Sequence, residues 1–132
     1  MATQPKLTLS TAALETARIT FHTNDDDKDH DTHVTVTVRD HDGAVVARVS
    51  DDFGHFPDHS ENGPFNLEIL DPSSQAALKQ GNVTIRVDPV GNDTWKFNFL
   101  LELIFADDSR LSASADGLEL TDERQDQAFG IQ

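Results

Sequence analysis

The chain has 132 residues, 36% of them apolar and 26% charged, enough to bury one lean core but not two. Acidic residues outnumber basic ones 24 to 10, for a formal charge of −14. Such a surface repels phosphate backbones, which excludes nucleic-acid binding and disfavours unaided docking on an anionic membrane.

With no cysteine there is no disulfide, no thiolate metal site and no cysteine nucleophile, and redox chemistry leaves the compartment open. The opening Met1 to Pro5 lacks the basic and apolar regions of a signal peptide, and no apolar run approaches membrane-spanning length. The acidic count is also lopsided: 18 Asp against 6 Glu. Asp is disfavoured in helices and strands but suits turns and metal loops, where its short arm holds an oxygen close to the backbone.

Along the chain the first sixteen residues are ambiguous: Leu7-Thr8-Leu9 alternates like a strand, while Ala12 to Glu15 is compatible with one helical turn. From there period-two alternation dominates. Ala17, Ile19 and Phe21 alternate with polar residues, as do Val34, Val36 and Val38. Residues 44–50 are β-branched and apolar, and Phe65, Leu67 and Ile69 form a further run. One short helix is predicted, with Asp71 as N-cap, Pro72 in the first turn, Ala76 to Leu78 within it and Gly81 as its stop.

Val83, Ile85 and Val87 follow. The longest run places Trp95, Phe97, Phe99, Leu101, Leu103 and Phe105 on one face of an extended strand, with Trp95 in the core. Leu111 to Ala115 and Leu118 to Leu120 come next, separated by a turn at 116–117; the polar end from Thr121 onward is expected to fray. Tight hairpins are predicted at 40–43 and 107–109. About eight short strands with regularly spaced turn signals imply an all-β antiparallel β-sandwich, with a small closed barrel as the competing architecture.

Antiparallel strands alternate their connections between the two ends of a sandwich. Counting from the strand at 17–23, loops 24–32, 51–63 and 88–93 and the turn at 116–117 share one tip. The first loop carries Asn24, Asp25, Asp26, Asp27, Asp29 and Asp31; the second adds Asp51, Asp52 and Asp58, and the third adds Asp88, Asn92 and Asp93. Carboxylates 6–7 Å apart repel by about 0.6 kcal/mol per pair in water and several-fold more at a protein surface. A divalent cation would remove that cost, and many hard oxygens on flexible loops match Ca²⁺ better than Mg²⁺. The competing explanation, a solvated loop whose charge serves solubility, is weakened by the Asp bias and by Asn24 and Asn92. Asp25, Asp27 and Asp29 begin like an EF-hand loop, but His30 and Val36 stand where it needs Gly and Glu, so an EF-hand is ruled out.

The strand at 17–23 running into the Asp-rich 24–32, the alternating Val34 to Val38, and Asp88 to Trp95 leading into a long aromatic strand together resemble the C2 and PLAT group of β-sandwich domains, over roughly residues 17–120. The resemblance implies calcium held by apical Asp side chains, with recruitment to lipid or to a protein partner. It makes Asp25, Asp27, Asp29 and Asp31 ligands from the first loop, and Asp88, Asn92 and Asp93 ligands from the later one. The chain departs from many C2 domains in scattering its basic residues rather than gathering them on one strand. Phe53 and Phe56 are either tip aromatics that enter a bilayer or anchors folded back onto the core.

The six histidines are read as exposed rather than as a zinc site, although His22 and His33 are expected to be neighbours across a ladder. No G-x-S-x-G elbow, H-E-x-x-H pair or phosphate-cradling glycine loop is present, so no enzyme is expected. The overall expectation is a monomeric calcium-dependent binding or targeting module. A structural or adhesion module in which calcium only stabilises the fold is the alternative, and a metal-dependent hydrolase is the third.

Overall fold

The computed structural model describes residues 11–132, so the expectation at Leu7 to Leu9 lies outside the described residues. The chain forms an all-β sandwich of two antiparallel sheets, nine strands and one short helix. The strands are β1 (Leu14–Asp26), β2 (His33–Arg39), β3 (Val45–Asp51), β4 (Glu61–Asn66), β5 (Glu68–Ile69), β6 (Asn82–Asp88), β7 (Thr94–Phe105), β8 (Arg110–Thr121) and β9 (Asp126–Gly130), with α1 (Gln75–Leu78) between β5 and β6. One sheet has the order β4-β1-β7-β8 and the other β5-β3-β2-β6-β9. The inward residues that alternation identified, among them Ile19, Phe21, Val34, Val36, Ile85, Trp95, Phe97 and Leu101, meet in the core between the two sheets.

Five local expectations are corrected. The run at 65–69 is two strands: at Leu67 the chain leaves β1, its N–H bonded to the Ala17 carbonyl, and joins β3 of the other sheet. The helix is capped by Ser74, not Asp71, because Ser74 Oγ accepts the Ala77 N–H and leaves only four helical residues. Asp116 and Gly117 are no turn but a bulge inside β8, where the register against β7 slips between Phe97 and Phe99.

The C-terminal residues do not fray. β9 pairs with β6, Ile131 is 2% exposed in the core, and Gln132 bridges the sheets through paired backbone bonds to Ser112. Its polar residues face solvent, while Phe129, 4.9 Å from the Phe99 ring, and Ile131 anchor the end, a pattern too sparse to show as periodicity. Finally, His22 and His33 lie in different sheets, so they are not ladder neighbours.

Parity of strand direction holds for the loops that matter. Connections 27–32, 52–60, 89–93 and 122–125 leave one end of the sandwich; 40–44, 67–81 and 106–109 leave the other. Substituting Ile131→Ala should lower the unfolding free energy by about 2–4 kcal/mol in urea denaturation, whereas a frayed end would leave it unchanged.

Candidate functional site

The acid-rich end is built around a cation that belongs to the chain. Lys28 is 0% exposed. Its ammonium donates to the backbone carbonyls of Asp29 (2.9 Å), Thr32 (3.3 Å), Asp52 (2.6 Å) and Gly54 (2.5 Å). It also sits 4.8 Å from the centroid of the Phe56 ring. Two loops are thereby clipped together, and reciprocal backbone bonds between Lys28 and Phe56 add a short bridge beside the ammonium.

The second loop is shaped for this task. Phe53 and Gly54 both adopt left-handed backbone (φ 58° and 81°) between the two carbonyls that face Lys28. For Phe53 that conformation costs of order 1 kcal/mol, which the charged hydrogen bonds offset. Burial pushes the Lys28 ammonium below its usual range, while the carboxylates of Asp52, Asp93, Asp29 and Asp31 hold it up.

The third loop is tied in by Asp93, 9% exposed. Its Oδ2 accepts the Asp29 N–H (3.2 Å) and the Thr32 hydroxyl (2.5 Å). Beneath the loops lies an aromatic cluster. Phe56 packs 6.0 Å from Phe21 and 5.7 Å from Trp95, Phe53 packs 4.5 Å from Phe65, and the indole N–H of Trp95 donates to buried Thr23. Phe53 and Phe56 are therefore anchors folded back onto the core rather than projecting tip aromatics.

The sequence-selected ligands divide into groups. Asp25, Asp27, Asp31 and Asp93 act on Asp26 or Asp29. The Asp26 carboxyl is raised by burial and then by Asp27, Asp93 and Asp25, against the lowering pull of Lys96; that of Asp29 is raised by burial and then by Asp93, Asp27 and Asp31, with His30 opposing. Asp27 is also 2.8 Å from His55 Nε2, and Asp52 is 2.7 Å from His33 Nδ1.

Two residues are held by partners outside the cluster, and among the described residues Asn92 makes no contact that ties it in or out. Asp88 ends β6 and is held by Arg86 (2.9 Å). Asn24 lies in a bulge of β1, where its side-chain amide donates to Asn98 on β7. Asn92 is exposed in its loop. Among the described residues, no three His, Cys, Asp or Glu side chains are gathered closely enough to hold a metal ion as they stand.

Lys28, Thr32 and Phe56 were not singled out as site residues from sequence. The available signal was a single Lys inside a run of five Asp, a position where a solubilising loop gains nothing from a base.

Two outcomes follow from this geometry. Replacing Asp93 by Ala strands two donors and should cost about 1–3 kcal/mol, measured by urea denaturation in EDTA. Because the Asp26 and Asp29 carboxyls are raised in the folded state, their contribution to stability is present at low pH and lost as pH rises through the folded values. Asp29→Asn should therefore raise the metal-free thermal midpoint at pH ~7 and show a smaller gain than the parent as the pH is lowered from ~7 to the ordinary carboxylate range near ~4.

No protein-family model matches the chain, and no curated protein matches it; function is read from the chemistry of the tip itself.

Proposed function

We propose that the chain is a non-enzymatic β-sandwich binding module whose acidic tip takes Ca²⁺ and uses it for calcium-dependent docking on an anionic lipid or protein surface. One observation carries this proposal: on a backbone already held in place, with Asp93 of the third loop accepting the Asp29 N–H, the Asp26 and Asp29 carboxyls are raised by burial and then by the like charges of Asp25, Asp27, Asp31 and Asp93 around them. The tip keeps an excess of charge after Lys28 has neutralised its interior. A divalent ion with 6–8 oxygen ligands relieves that repulsion without moving the core. The ion draws in side chains of Asp27, Asp29, Asp31 and Asp93 by rotamer changes, with waters completing its shell.

The functional step is charge reversal over a small area. Metal-free, the tip repels phosphate and carboxylate; metal-bound, it presents an ion with exchangeable waters that such a group can replace. Phe53 and Phe56 are committed to the core, so attachment to a bilayer goes through the ion bridging lipid phosphates and not through inserted aromatics. The same inward packing favours a second role, in which calcium only stabilises the module. The C2-like resemblance rests on the pattern of strands and acidic loops.

Millimolar Ca²⁺ should raise the thermal midpoint by several degrees and Mg²⁺ by much less. Exchanging Asp27 and Asp29 together for Asn should remove the calcium shift while leaving the metal-free protein folded. An unchanged midpoint with Ca²⁺ would sink the proposal. Co-sedimentation with phosphatidylserine vesicles in Ca²⁺ but not EDTA separates docking from stabilisation alone.

A further inference from the structure

We propose that the four carbonyl oxygens around Lys28 Nζ form a binding site for an alkylammonium ion, which the chain fills with its own side chain. The acidic tip is then organised by a tethered monovalent cation and keeps its shape with no metal bound. This inference goes beyond the calcium proposal and does not rest on it, since it concerns the tip in the absence of any ion.

The geometry is that of a receptor for a compact cation. The acceptors come from two loops, with Asp29 and Thr32 on one side and Asp52 and Gly54 on the other, at 2.5–3.3 Å. The Phe56 ring closes a further side at 4.8 Å. No carboxylate touches the ammonium directly among its described partners; the charge is met by carbonyl dipoles, with Asp52, Asp93, Asp29 and Asp31 acting from farther out. Three N–H donors that can rotate about one nitrogen serve the four oxygens arriving from several directions, with one N–H shared between two of them. A guanidinium, flat and forked, does not, so the site is selective for a primary amine.

The site is also built rather than incidental. The left-handed Phe53-Gly54 turn aims two of its oxygens, and the Lys28–Phe56 backbone bridge holds the rim. With the interior position occupied by a covalently attached cation, any divalent ion is confined to the outer carboxylates.

Two measurements in EDTA test this, and neither involves calcium. In the first, Lys28→Ala leaves a cavity matching n-propylammonium. The variant's thermal midpoint should fall by about 10 °C or more. Tens of millimolar n-propylammonium should restore at least half of the loss, whereas 1-propanol, tetramethylammonium and the Lys28→Arg exchange should not. Emission of Trp95, which packs against Phe56, should follow the same pattern. If Lys28→Ala does not fold alone, its refolding yield with and without the amine becomes the readout. Absence of rescue, or equal rescue by propanol, overturns the proposal.

The second measurement uses the native sequence. Reductive methylation mapped by mass spectrometry should modify Lys28 at least about tenfold more slowly than Lys79 and Lys96. Equal rates would show that the ammonium leaves its cage freely and would likewise overturn it. A lost calcium shift with both of these results intact would remove the calcium proposal alone.

Discussion

A buried ammonium in the middle of the most acidic stretch of the chain is the constraint on which the functional end depends. Taking a lysine charge out of water costs several kcal/mol unless hydrogen bonds and nearby charges compensate. Lys28 obtains both, from carbonyls of two loops and from a surrounding belt of carboxylates. Each bond made to it removes freedom from a segment that would otherwise be a mobile, self-repelling loop. The Asp-rich composition and the left-handed turn at Phe53-Gly54 then read as parts of one local solution.

The tip is also continuous with the core. Phe56 lies between the ammonium on one side and Phe21 and Trp95 on the other, so the ordering of the loops is coupled to the aromatic packing between the sheets. Asp93 extends the network to the third loop through the Asp29 N–H and the Thr32 hydroxyl. What remains unsatisfied is electrostatic. The carboxylates of Asp26 and Asp29 sit among neighbours of like charge on a scaffold that holds them near one another. A rigid backbone under a repulsive surface leaves little backbone ordering entropy to oppose binding of the proposed counter-ion.

The legible part of this protein was whatever depends on period and parity. Alternation over Trp95 to Phe105 and Val34 to Val38 identified core strands, and counting strand directions brought 27–32, 52–60 and 89–93 to one end. Errors arose where one residue does something that period cannot express. Leu67 carries the chain from one sheet to the other, the Asp116-Gly117 bulge keeps β8 whole, and Ile131, with Phe129 beside it, docks an otherwise polar C-terminal segment. In the site, residue types pointed to a cation but gave no sign that the side chain of Lys28 fills the innermost position. A lone lysine in the Asp run marks the position, but only the fold brings the Asp52 and Gly54 carbonyls to it.

By itself the sequence determined the class of fold and the sign of the tip, since side-chain alternation, turn chemistry and charge are local properties carried by the order of residues. Tertiary structure decided which groups meet. Lys28 reaches Asp52 and Gly54, 24 and 26 positions away, only because β1 and β3 run the same way to the same end. Asp88 turns to Arg86, and Asn24 to Asn98, for equally non-local reasons of register and bulge. Desolvation completes the difference: the same ammonium is an ordinary surface charge in an extended chain and a structural cation once the loops close over it.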